Sequence, residues 1–179
     1  MAMTLRFLPV MPALAALASA CSLSVEAAVP EVEITQRGLK MSGVPKAKLI
    51  GDISVSSSFA FSSSNTAWAK RMNSQVFVRE VSVAGTGELS DLDFVKFARL
   101  TMADPTDSKG STEIVSYDRC DEARSSSVIE VSMPAPIDIT PLWSADKTVI
   151  ELQLAGRLPE DDWAVDVTLK LAGKITYKF

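Results

Sequence analysis

The clearest pattern in the chain is the alternation of apolar and polar residues over its last seventeen positions. From Trp163 to Phe179, every odd-numbered residue is apolar except Gly173, and every even-numbered residue is small, polar or charged. We call each of these alternating sets of positions a parity. Because successive side chains of a β-strand point to opposite faces, this pattern predicts a strand with one buried face and one solvent-facing face. We predict one long strand, or two strands in line interrupted near Ala172 and Gly173, since glycine inside a strand often marks a bulge.

A second alternating segment runs from Asp52 to Ser62, where apolar residues dominate one parity and serines dominate the other. The serine density is typical of a low-complexity linker. A linker would not place its apolar residues two positions apart, so the period favours a strand. Shorter strand-like segments complete the predicted set: Glu31–Thr35, Gln75–Ala84, Ala98–Met102, Glu113–Tyr117, Ser127–Met133 and Thr148–Leu154. Gln75–Ala84 has apolar residues at both odd and even positions, which indicates a strand buried on both sides at its start or one with a bulge.

These segments amount to about seven to nine short strands separated by turn residues, with almost no helical period. The pattern is typical of an all-β, antiparallel β-sandwich, and we predict a single such domain over residues 31–179. The cysteine and tryptophan spacing of antibody domains is missing, so the likeness to an immunoglobulin domain concerns general architecture only. Ser90 to Asp93 resembles a helix start. Leu142 and Trp143 are expected to enter the core from a loop.

Composition excludes several classes of function. The chain has 179 residues, a net charge of −4 and no histidine. Without histidine there can be no Ser-His-Asp or Cys-His catalytic group, and the commonest metal ligand is missing. Nothing resembles a basic patch, so we expect no nucleic-acid partner. No phosphate-binding glycine loop or Gly-x-Ser-x-Gly motif occurs, and we predict no catalytic residues and no cofactor.

Residues 1–20 have the composition of a secretion signal. Arg6 is followed by an apolar stretch from Leu8 to Leu17, then by the small residues at 18–20, and no acidic residue precedes Glu26. The apolar run is too short for a membrane-spanning helix, so a cleaved signal peptide is the predicted role.

The segment Leu17-Ala18-Ser19-Ala20-Cys21 resembles the lipobox of bacterial lipoproteins, although Ala18 stands where that family more often has leucine. The resemblance covers only the first twenty-one residues or so. It implies that the Cys21 thiol is acylated, as by palmitate, and that residues 21–30 are a lipidated tether. Ser22, rather than an aspartate, follows the cysteine. In enterobacterial lipoproteins this pattern is associated with sorting to the outer membrane, so the resemblance implies that location. The expected partners are therefore the membrane, through the lipid anchor, and another protein of the cell envelope.

A plain signal peptide remains the alternative for this leader. Cys21 could then form a disulfide with Cys120 in an oxidising compartment. If Cys21 is acylated instead, Cys120 is left single. Its acidic neighbours, Asp118, Asp121 and Glu122, would disfavour the thiolate, so a catalytic role for Cys120 is not expected.

The acidic residues suggest two further hypotheses. They could bind calcium in loops, but acidic turns are usually only solvated, so we predict no metal site. A carboxylate pair could serve an envelope hydrolase. The acidic clusters considered are Glu88, Asp91 and Asp93; Asp104 and Asp107; Asp118, Asp121 and Glu122; and Glu160, Asp161 and Asp162.

The amphipathic last strand, which ends in Phe179, resembles the last strand of outer-membrane barrels, so a small membrane barrel is a third alternative.

The favoured hypothesis is a lipoprotein of the cell envelope, anchored in the outer membrane. Its single β-sandwich would act as a non-enzymatic interaction or structural module.

Overall fold

The computed structural model describes residues 24–45, 51–62, 74–87, 89, 91–106, 110–119, 127–143 and 147–178. Within these ranges the chain is almost entirely β-structure. The strands are β1 (Ser24–Met41), β2 (Ile53–Phe61), β3 (Ser74–Gly85), β4 (Val95–Ala103), β5 (Thr112–Asp118), β6 (Val128–Asp138), β7 (Thr148–Gly156) and β8 (Trp163–Lys178), and a helical turn, α1, covers Thr140–Trp143.

The strands form two antiparallel four-stranded sheets, with the orders β1-β8-β3-β6 and β2-β7-β4-β5. The chain passes from one sheet to the other at every connection between successive strands except β4 to β5. This arrangement is a jelly roll, in which two sheets of antiparallel strands face each other. The predicted antiparallel β-sandwich of seven to nine strands is confirmed. The described strands do not close into a barrel, because each sheet ends in two edge strands.

Strand β8 lies at the centre of its sheet, between β1 and β3. Its apolar parity faces the other sheet, and Val165, Val167 and Leu169 are all at most 1% exposed. The strand is continuous, so the first of the two sequence-based alternatives is correct. The irregularity near Gly173 belongs to the partner strand, where the register shifts between Val29 and Val32.

Strand β1 begins earlier than its own pattern indicates. The sequence predicts a tether at 21–30 and a strand from Glu31, whereas β1 starts at Ser24 and pairs with the end of β8. The small residues of this segment have weak strand preference. The long neighbouring strand supplies their hydrogen-bond partners, and this tertiary contact overrides local propensity. The predicted start of the first strand is therefore wrong by seven residues, and residues 21–23 lie outside the described residues.

Two predictions about non-strand elements have opposite outcomes. The helix start at Ser90 to Asp93 is wrong in its described part, because Asp91–Phe94 form a turn in which the Asp91 carboxylate accepts the backbone N–H of Asp93 at 2.8 Å. The predicted insertion of Trp143 is confirmed. Its side chain, on α1, is 3% exposed, and its ring lies 5.0 Å from that of Phe61.

The core fills the space between the sheets. Leu100 on β4 and Leu152 on β7 are at most 1% exposed and face the buried row of β8. Trp163 closes one end of this core by an edge-to-face contact with Phe94, with ring centroids 5.1 Å apart. At Gly156 a Cβ atom would lie 2.1 Å from the carbonyl oxygen of Phe94, so only glycine fits this close approach.

Candidate interaction surfaces

The interior of the sandwich offers little room for a ligand at the centre of the sheets. A gap lined by Val81, Leu100 and Leu152 has a volume of only about 10 Å³. That volume is at the lower limit for a single water molecule. Among the described residues, the larger clefts and grooves lie on the outer surfaces.

The cysteines that the sequence analysis singled out, Cys21 and Cys120, both lie outside the described residues. So do four of the acidic candidates: Glu88, Asp107, Asp121 and Glu122.

Several described acidic residues of the turns accept hydrogen bonds from backbone N–H groups, either in their own loop or in a neighbouring one. The Asp104 carboxylate accepts the backbone N–H of Thr106 at 2.8 Å, and the Asp162 carboxylate accepts the N–H of Gly43 at 2.9 Å. Such bonds are typical of aspartate in turns. Within the described ranges, no three Asp, Glu or Cys residues are grouped as metal ligands.

Two adjoining clefts lie near the turn before β4 and the turn after β7. The larger, of about 730 Å³, is lined by Asp52, Lys96 and Glu160 among others. The smaller, of about 170 Å³, contains Arg119 and shares Lys96 and Arg157 with the first. Lys96 lies 3.5 Å from the Asp52 carboxylate. Acidic and basic groups both line the two clefts, although the smaller has three basic residues and one acid, Asp93.

Arg119 is the most deeply placed charge in this region, with a side chain only 5% exposed. Its Nη1 donates to the Asp93 carbonyl oxygen at 2.9 Å and lies 3.5 Å from the Asp93 carboxylate. Its Nε donates to the Tyr117 hydroxyl at 3.4 Å, and this hydrogen bond, opposed by burial, raises the pKa of Arg119 above its ordinary value. Nη2 is buried without a hydrogen-bond partner among the described residues. The contacts of Arg119 join the end of β5 to the turn before β4, so we interpret Arg119 as a residue that stabilises the fold.

The solvent-facing side of the β1-β8-β3-β6 sheet carries a rung of polar side chains. Glu33, Lys170, Glu80 and Ser132 occupy matching positions on the four neighbouring strands. The hydrogen bond with Lys170 lowers the pKa of Glu80 below its usual 4.5, and the same bond raises the pKa of Lys170. A general acid needs a raised carboxyl pKa, so this pair has the electrostatics of an ion pair rather than of an acid catalyst.

A shallow groove of about 460 Å³ crosses the same sheet face. Phe77, Pro136 and Ala172 supply apolar surface, and Arg79 supplies positive charge. Lys174 also lines the groove, where it forms an ion pair with Glu26. Arg79 falls where β3 shifts register between Val78 and Glu80. The groove therefore combines apolar contact area with charged groups of both signs, which suits contact with a protein surface.

Sequence reasoning missed both Arg119 and the groove. The only local signal for Arg119 is its place directly after the strand that ends at Asp118, and its partner Asp93 is distant in the chain. The groove depends on the register shift at Arg79, for which the sequence gives only a mixed parity between Gln75 and Ala84.

Comparison with known proteins gives few matches. No model of a protein family matches the chain, and no curated protein matches it. Among solved structures, the decameric BFDV capsid protein gives a TM-score of 0.33 at 9% identity, covering 84% of this chain and 99% of that one. A structure of Desmodium yellow mottle tymovirus gives 0.32 at 10% identity, covering 84% and 89%.

Proposed function

We propose that the protein is a non-enzymatic structural or interaction module that acts through the outer surfaces of its sandwich. The observation that carries this proposal is the packed interior, in which the facing residues of the inner strands of both sheets are almost all apolar and buried. Jelly rolls that act on or bind small molecules in their interior need a polar chamber there, and cupins are one group with this fold. Here the space between the sheets is used for stability, which leaves the faces and edges for contacts.

The alternative of a carboxylate-dependent hydrolase has weaker support: Asp52 and Glu160 line the same cleft, but Asp52 is paired with Lys96 at 3.5 Å. Such an enzyme needs two carboxyl groups on opposite sides of one substrate cleft, with the pKa of one of them raised. Glu80 is ion-paired and its pKa is lowered. Asp104 accepts a hydrogen bond within its own turn, and Asp162 accepts one from Gly43 in the loop after β1.

A turnover assay tests the proposal. The purified full chain should release no product above the buffer rate from chromogenic glycosides, esters and peptides. Turnover that is lost on changing Glu160→Gln or Asp52→Asn, the acids of the larger cleft, would contradict the proposal. Glu151→Gln, an exposed change on β7 away from this cleft, is the matched control.

We further propose that the module is held at the cell envelope by an acylated Cys21, with another envelope protein as partner. The support is the signal-like segment 1–20 and the lipobox-like residues that follow it. Because β1 starts at Ser24, only two residues would separate the lipidated cysteine from the sheet. Three residue steps span about 10 Å at most, so the sandwich would lie close to the membrane surface. Two or more acyl chains would make this attachment stable.

Metabolic labelling with palmitate tests the anchor. The wild-type chain should take up label in a bacterium that processes lipoproteins, Cys21→Ala should take up none, and Cys120→Ala should label as the wild type does. An unlabelled wild type, or a labelled Cys21→Ala variant, would overturn the anchor. Neither result would affect the proposed role of the sandwich itself.

A further inference from the structure

Strand β2 is an edge strand whose free side remains regular along its whole length. It pairs with β7 without interruption, from Ile53 opposite Gly156 to Phe61 opposite Thr148. In the sheet order of the described strands nothing lies on the other side of β2. A regular edge of this kind presents backbone N–H and C=O groups in the spacing that another strand requires.

The other three edge strands carry features that oppose the addition of a strand. Strand β1 contains Pro30 and shifts register at two places. Strand β6 contains Pro134 and Pro136, and proline cannot donate to a ladder. Strand β5 is short and bears Glu113. Charges, prolines and bulges are the usual means of protecting an edge, and β2 has none of them.

The core-facing row of β2 is incompletely covered. Ile53, Val55, Phe59 and Phe61 are only partly buried, although they pack on the core. Their neighbours on β7 are buried: Leu154 and Ile150 are at most 1% exposed, and Thr148 is 2% exposed. A further strand beside β2 would cover this row, which gives the addition a hydrophobic contribution besides the backbone hydrogen bonds.

The residue pattern of β2 selects the partner. In an antiparallel pair of two β2 strands centred on Ser57, Val55 faces Phe59 of the other copy, and Ile53 faces Phe61. Aromatic residues opposite β-branched residues are favourable cross-strand pairs. On the solvent-facing side, Ser56 faces Ser58, so the two backbones meet without a charge. A parallel pair would instead place each residue beside its own copy.

We propose that β2 is a self-association site, at which two copies of the chain pair antiparallel about a two-fold axis through Ser57. The two β2-β7-β4-β5 sheets then form one eight-stranded sheet. Such an interface is isologous, so it closes at the dimer. This pairing deepens the proposed structural role and rests on it. A monomeric protein without enzymatic activity would overturn the pairing alone, whereas turnover by a dimer would overturn the structural role alone.

Charge substitutions on the exposed parity test the pairing and its register. Ser56→Lys with Ser58→Lys places lysine opposite lysine twice across the two-fold axis. Ser56→Lys with Ser58→Glu places lysine opposite glutamate twice. Both side chains are exposed, so neither variant disturbs the core. Ser116→Lys, on an exposed site of β5, is the matched control.

The measurement is sedimentation equilibrium of the full chain over a range of concentrations, with circular dichroism to confirm folding. The wild type and Ser116→Lys should form dimers with similar dissociation constants. The double-lysine variant should dissociate about tenfold more readily or more, and the lysine-glutamate variant should return to within about threefold of the wild type. A monomeric wild type, a double-lysine variant that dimerises normally, or a lysine-glutamate variant as weak as the double-lysine variant would overturn the proposal.

Discussion

Replacing Leu152 by alanine tests the two-sheet core at its centre. Leu152 lies on β7, is 1% exposed, and sits between Ser57 of β2 and Leu100 of β4. Its partners on both sides are fixed in strands, so the site has little freedom to collapse around a smaller residue. Removing three buried carbons costs about 2.5 kcal/mol by transfer alone. The cavity left behind raises the expected loss in the free energy of unfolding to about 3–5 kcal/mol.

Urea denaturation followed by tryptophan fluorescence measures this loss. Trp143 and Trp163 are 3% and 5% exposed, so their emission should report unfolding of the core. The matched control is Glu151→Ala, one position earlier on the same strand and exposed. The control should change the free energy of unfolding by no more than about 0.5 kcal/mol.

The slope of the unfolding free energy against urea should be the same in all three proteins, because the area exposed on unfolding hardly changes. Equal losses for Leu152→Ala and Glu151→Ala would refute the assignment of faces on β7. So would a loss below about 1 kcal/mol at Leu152.

Two further predictions concern a backbone contact and an ion pair. Gly156→Ala should lower the free energy of unfolding by about 1–3 kcal/mol or more, because the new Cβ would collide with the Phe94 carbonyl. The control is Gly110→Ala, whose Cβ would have no atom within 4 Å and which should therefore lower the free energy of unfolding by less. Equal losses for the two variants would count against the contact with Phe94. Glu80 stabilises the fold above its ordinary pKa of 4.5 and loses that contribution as the pH falls through its lowered pKa. The melting temperature of Glu80→Gln should therefore lie below that of the wild type near neutral pH, and the gap should close in acid; a gap independent of pH would contradict the role of the Lys170 pair.

Much of the sandwich could be predicted because one face of each strand is buried. In β8 and β2 the apolar parity marks the face toward the other sheet, and a one-residue slip would expose it. The same reasoning found the insertion of Trp143, since a large aromatic residue between two strands needs a place in the core.

The order of the strands could not be predicted in this way. Alternation fixes which face of a strand is buried, but it does not say which strand lies beside it. The early start of β1 at Ser24 likewise depends on its neighbour, since residues 24–29 pair with the end of β8. Arg119 was missed for a similar reason, because its contact with Asp93 exists only once β4 and β5 are paired.

Nuclear Overhauser effects between backbone protons test the central claim, the order of the strands in the two sheets. With the strands in this order, Leu152 should show cross-strand contacts to Ser57 and to Leu100, and Leu169 should show contacts to Ile34 and to Val81. Cross-strand contacts between β2 and β3, or between β7 and β8, would contradict this strand order. The two strands of each of these pairs are consecutive in sequence but belong to different sheets.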